Sequence, residues 1–102
     1  MSRLIFTARF RSDIDSILNY LERAAGPRGA DHYARRFRAT IDRLIKFPRS
    51  GAPRLPLGPN AGVAVIPPYI LIYDYGLEDD TLVLLRVLHE RREITPELIR
   101  GR

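Results

Sequence analysis

The chain has 102 residues, 45% of them apolar, and a net charge of +5, which leaves room for one core between two layers and none for a second domain of ordinary size. With no cysteine and two histidines far apart in sequence, a disulfide framework, a thiolate metal site and a cysteine nucleophile are excluded and zinc lacks a ligand set, so no metal and no cofactor are expected. No apolar run reaches the roughly 18 residues of a membrane span, and no basic-plus-apolar leader opens the sequence, so a cytoplasmic protein with no membrane partner is expected.

The charge is unevenly spread. Met1 to Pro56 carries twelve basic residues against five acidic, Leu57 to Arg102 carries five against seven, and all but one of the 17 basic residues are arginine. Guanidinium groups suit bidentate pairing with carboxylates or phosphates. The basic half therefore fits an acidic protein partner or nucleic acid without choosing between them, and an arginine-rich coding bias would give the same count.

Arg3 to Thr7 is a short apolar run, consistent with a first strand. Thr7 can cap the helix that follows, in which Phe10, Ile14, Ile17, Leu18, Leu21 and Ala25 recur at three- and four-residue spacing and Gly26-Pro27 ends the stripe. Asp13 and Asp15 fall in early turns, where the helix dipole favours negative charge. A second stripe of Ala30, Tyr33, Ala34, Phe37, Ile41, Leu44 and Ile45 stops before Pro48. The short break predicts an antiparallel helical hairpin packed on a sheet. His32 has no partner in sequence and is expected at the surface.

Pro48 to Asn60 is too rich in proline and glycine for a regular element and is expected to be a loop. Ala61 to Ile66 and Tyr69 to Tyr75 read as strands, and Gly76 to Asp80 as a polar turn into Thr81 to His89. That last run is almost wholly apolar and predicts a strand buried on both faces in the middle of the sheet. The order is β-α-α-β-β-β, an α+β domain spanning 1–102 with a helical hairpin on one face of a small, mainly antiparallel sheet. The other face is expected to be partly uncovered, with 95–102 either one helical turn or a flexible tail.

Arg86 interrupts the apolar run, and a guanidinium there needs a partner such as Glu90 or Asp74, or a ligand. Arg86, His89, Arg91 and Arg92, joined by Arg54 from the loop, form a cationic cluster that could grip phosphate or a carboxylate, with His89 as a proton donor or acceptor. Their bland reading is an internal ion pair for Arg86, solvated strand-end charges for Arg91 and Arg92, and an ordinary polar residue for His89, because no second catalytic group is signalled by spacing. Tyr69, Tyr73 and Tyr75 alternate on one strand face, where packing explains them and base stacking is the alternative. Arg35 and Arg36 lie on a basic helix face that could follow a nucleic-acid backbone, or be solvated. No recognition-helix, zinc-finger or phosphate-loop motif accompanies them.

Together these segments resemble the RelE/ParE superfamily of toxins from type II toxin–antitoxin systems. The resemblance rests on Asp13 to Tyr20, the spacing Phe37-x-x-x-Ile41-x-x-Leu44, Phe47 to Arg54, Tyr69 to Tyr73 and the block Arg86 to Ile94. That closing block is most similar to the ParE branch. The resemblance implies a toxin held inactive by a cognate ParD-like antitoxin with an acidic tail, inhibition of DNA gyrase as its action, and contact with operator DNA only through the antitoxin complex. It implies Arg54, Arg86, His89, Arg91, Arg92, Arg35 and Arg36 as target- or antitoxin-binding residues, with no catalytic residue. RelE-like members instead cut messenger RNA on the ribosome, with basic residues on the middle strands and the last one. Here Ala61 to Ile66 has no charged residue, so only Arg86 and His89 would serve a ribonuclease, and a non-enzymatic toxin is expected. A third alternative is an inactive homologue that only binds an antitoxin.

Overall fold

A computed structural model describes residues 2–101. A strand, β1 (Arg3–Phe6), leads into a helix, α1 (Ala8–Lys46), which is broken at Gly26. A two-residue strand β2 (Ala52–Pro53) and a 3-10 turn (Leu55–Leu57) precede the strands β3 (Ala61–Ile66), β4 (Tyr69–Gly76) and β5 (Thr81–His89), and a short helix, α2 (Pro96–Arg100), closes the chain. The segment expected to be a loop thus contributes a strand and a helical turn of its own.

Thr7 starts α1 as expected. Its hydroxyl accepts the Phe10 N–H at 3.1 Å and donates to the Leu84 carbonyl at 2.9 Å, so the cap also ties the helix to β5. At Gly26 the backbone takes φ 77° and ψ 178°, a conformation open to glycine, and the next residue is a proline suited to a first helical turn. A straight helix of 39 residues would run to about 58 Å at about 1.5 Å per residue, whereas the longest dimension of the molecule is 42 Å. The two arms, 8–25 and 27–46, fold back on each other. Phe10, Ile14 and Leu18 on one line the same seam as Ala34, Phe37 and Ile41 on the other.

The sheet has the order β1-β5-β4-β3-β2, with β1 parallel to β5 and every other pair antiparallel. The centre is therefore β4, not β5. β1 covers β5 only from Thr81 to Leu84, because the chain must leave the sheet at Thr7 to begin the helix. Beyond Leu84 the strand expected to be central is an edge. Its register also shifts: Tyr73 pairs with Leu84 and Ile72 with Arg86, leaving Leu85 as an extra residue. Strict alternation would send Arg86 to the helical face with Leu82 and Leu84. The bulge gives that place to Val87, which is buried with Leu82 and Leu84 against the hairpin.

The helix-side core is built on Phe10, Phe37, Leu44, Leu71, Leu82 and Leu84, with Tyr69 and Tyr73 on the same side and Tyr75 packed at its margin. The opposite face, expected to be partly uncovered, is covered in part, with Val65 still 57% exposed on it. A second core gathers Leu57 from the 3-10 turn, Val63, Ile72 and Leu88 from the sheet and Ile99 from α2. Helix α2 is capped by the Thr95 hydroxyl and held by Arg100, which pairs with both oxygens of Asp74 and donates from Nε to the Leu57 carbonyl at 2.8 Å. No helix among the described residues is long and apolar enough to cross a membrane.

Candidate functional site

Arg86 is the residue the sequence leaves in need of a partner, and the fold supplies one from the first turns of α1. Its Nε donates to Asp13 Oδ2 at 2.7 Å and its Nη2 to Asp13 Oδ1 at 2.9 Å. Nη1 donates to the Leu98 carbonyl at 2.8 Å. The same Asp13 Oδ2 accepts the Val87 backbone N–H at 3.0 Å, taking the place that a neighbouring strand would occupy along the open half of β5. The two side chains are only 12% and 14% exposed. The hydrogen bonding it donates to Asp13, ahead of the opposing effect of burial, raises the Arg86 pKa further above its ordinary value, so the guanidinium is permanently charged and tied to two helices at once. Its partner is neither Glu90 nor Asp74; Asp74 is taken by Arg100.

His89 ends β5 on the surface. Its Nδ1 accepts the Arg91 N–H at 3.1 Å, which leaves Nε2 to carry the proton of the neutral ring. The imidazole meets the Tyr69 ring edge-on at 5.9 Å, Tyr69 meets Tyr33 at 5.6 Å, and the Arg36 guanidinium lies 5.5 Å above Tyr33. These four residues form a row from strand to helix. Beside it Tyr20, Tyr33, Pro68, Tyr69 and His89 line a groove of about 480 Å³, together with Ile17 and Leu21. Burial, aided by the neighbouring Tyr33 and Tyr20 phenols, holds the Tyr69 hydroxyl above its ordinary pKa, so it is a neutral donor near pH 7 and not a base. His89 forms no ion pair among the described residues. The groove can stack, hydrogen-bond and attract negative charge; it does not present a matched acid and base.

The other candidate residues separate. Arg91 and Arg92 are exposed in the turn after β5, next to His89. Arg35 is exposed on the second arm of α1 and paired with Asp31 one helical turn away. Arg54 stands at the opposite end of the sheet: its N–H bonds to Ala61, which lies in the row of Asp74 and Val83. His89 is six residues further along β5, about 20 Å at roughly 3.4 Å per residue. The fold thus brings Arg36, His89, Arg91 and Arg92 to one end, engages Arg86 internally and keeps Arg54 apart.

Asp13, Tyr20 and Tyr33 were not among the sequence candidates. Tyr20 lies off the apolar stripe of its arm and is 58% exposed, and a large aromatic outside the buried face is the available signal. Tyr33 and Arg36 stand three apart, the spacing at which helical side chains meet. Asp13 carries no such local signal, since its partner is 73 positions away.

No curated protein matches this chain. Among solved structures, a chain of the chromosomal ParDE toxin–antitoxin system from P. aeruginosa shares the fold, with a TM-score of 0.72 and 19% identity over 87% of this chain and 96% of that one. A chain of the toxin–antitoxin complex RelBE2 from Mycobacterium tuberculosis is similar with a TM-score of 0.55 and 26% identity, over 86% of this chain and 96% of that one. The family model described as the ParE toxin of the type II toxin–antitoxin system parDE matches residues 4–94. With the strand order, the helical hairpin and the closing Arg86 to Ile94 block all inside or across that match, this chain belongs to the ParE toxin family.

Proposed function

We propose that this ParE-type toxin acts by binding DNA gyrase in the cytoplasm rather than by cutting RNA, and that a cognate ParD-like antitoxin with an acidic tail neutralises it. The observation that carries the reading is the engagement of Arg86. Cleavage by a 2′-hydroxyl needs a base, an acid and free cations around the scissile phosphate. The cation available on the last strand is spent on Asp13 and Leu98, β3 contributes no charged side chain, and His89 is left with tyrosines and exposed arginines. These groups suit adhesion to a macromolecule. The two similar structures named above come from toxin–antitoxin systems, which supports an antitoxin partner. Its tail would lie over the basic second arm of α1 and mask the Arg36 to His89 row, and operator DNA would be met only through the complex.

The purified toxin should trap cleaved plasmid with gyrase in a supercoiling assay and lose that effect when antitoxin is added. No change in plasmid topology at excess toxin would refute the gyrase assignment. Ribosome-dependent cuts in messenger RNA that vanish in His89→Ala would replace it with the ribonuclease reading, and unaltered growth on induction without antitoxin would identify an inert homologue.

A further inference from the structure

Tyr69 is only 7% exposed, yet its hydroxyl goes unused by the fold. The Tyr33 and Tyr75 hydroxyls donate to the Pro67 carbonyl and to Asp80, whereas that of Tyr69 has no hydrogen-bond partner among the described residues. No described side-chain oxygen is both sealed from solvent and unpartnered, so the Tyr69 oxygen must reach the surface. The hollow this residue lines is the groove it shares with Tyr20, Tyr33 and His89. A donor on a residue this deeply buried is ordinarily paired inside the protein. Here it is left for an acceptor that enters from outside.

The walls around that oxygen are aromatic. Tyr20 and His89 are exposed and offer ring surface to a flat ligand. No carboxylate lines the groove. Arg36 lies over Tyr33 at 5.5 Å and forms no ion pair among the described residues, which leaves it for an incoming anion. Arg91 and Arg92 share their turn with Glu90 and Glu93 and add little net charge.

The groove therefore asks for a planar ring, an acceptor in the plane of that ring and one adjacent anion. A peptide divides these among separate side chains, since phenylalanine and tryptophan rings carry no in-plane acceptor and carboxylates carry no ring. An unpaired nucleotide holds all three in one unit. In a duplex the base is stacked inside and out of reach.

We propose that the groove between Tyr20 and His89 takes one unpaired base of a DNA single strand. The base lies on the exposed rings, one of its carbonyl oxygens or ring nitrogens accepts from the Tyr69 hydroxyl, and the neighbouring phosphate meets Arg36. The site stands on its own geometry, and only the source of the strand, DNA opened by gyrase, rests on the gyrase reading.

The test is fluorescence anisotropy of a short labelled oligothymidylate titrated with the full chain. Tyr20→Leu, at an exposed position, should weaken binding about tenfold. Tyr69→Phe, which removes only the unpaired hydroxyl, should weaken it about fivefold. Both should keep the parent's thermal midpoint, and Lys46→Ala, at the far end of α1, should leave binding unchanged. A strand of equal length with abasic sites throughout keeps every phosphate and should bind about tenfold more weakly, and the matching duplex no better than that. Equal binding of the abasic strand, full affinity in both tyrosine variants, or no binding at all would overturn the proposal. So would a preference for oligouridylate, which would make the strand an RNA, or displacement by thymidine monophosphate at equal concentration, which would make the ligand a free nucleotide. A toxin that binds the strand through these residues and leaves plasmid topology unchanged would keep this site and lose the gyrase reading. One that traps cleaved plasmid without binding any strand would do the reverse.

Discussion

Arg86 and Asp13 form the most deeply buried ion pair among the described residues. Removing one partner from a largely buried, bidentate pair leaves the other charged and underpaired, at a cost of about 3–5 kcal/mol in comparable sites. Asp13→Ala also strips the Val87 N–H of its acceptor. Asp13→Ala and Arg86→Ala are each expected to lower unfolding free energy by about 3 kcal/mol, the low end of that range because both groups keep a little solvent contact. The double variant should cost hardly more than either single one, since the second loss has already been incurred. Denaturant unfolding of the three variants checks this, and additive losses would show that the two residues act separately. His89→Ala, at the exposed strand end, should stay within about 1 kcal/mol of the parent. The need for a partner at Arg86 was legible in sequence, from one guanidinium inside an apolar run. Its identity was not, because Glu90 and Asp74 are nearer along the chain while only the folded hairpin carries Asp13 to the strand edge.

Among the elements, periodicity exposed the helical hairpin and the β3-β4-β5 meander, because each signal lies within a dozen or so residues. It did not show that β1 joins the sheet in parallel beside β5, which moves the centre to β4 and turns the far half of β5 into an edge. A four-residue strand has no pattern that names its neighbour. Nor did it show that five residues near the C-terminus help to close a second core on the other sheet face. The reason is chemical: α2 is far too short to be stable alone and is held by the side chains of Ile99 and Arg100 rather than by its own propensity. Ile99 is 4% exposed in the second core. Ile99→Ala is expected to cost about 2–3 kcal/mol, the lower part of the range for such truncations because a short terminal helix can settle into part of the space. Glu97→Ala, on the exposed side of the same helix, should cost about 1 kcal/mol or less. Chemical denaturation of both variants reads the difference, and a loss at Ile99 no greater than that at Glu97 would show that α2 does not help to close that core.

For the whole molecule, the excess of positive charge before Leu57 falls mainly on the helical hairpin, while Asp74, the one carboxylate in the sheet strands, is paired with Arg100. The field a partner meets on approach is therefore cationic over α1. An acidic antitoxin tail would be steered by that field, and steering acts on the association rate and is screened by salt. The two arginines of the second arm should then behave differently. Arg35 is exposed and shared only with Asp31, so Arg35→Glu should slow association at low ionic strength and leave dissociation unchanged. Arg36 lies over the Tyr33 ring that begins the row to His89, so Arg36→Glu should slow association and also speed dissociation, a difference that persists at high salt. Surface plasmon resonance with the cognate antitoxin across a salt series separates the two cases. Equal association rates for parent and both variants at low salt would mean that the tail reaches the toxin by another route, away from the basic arm.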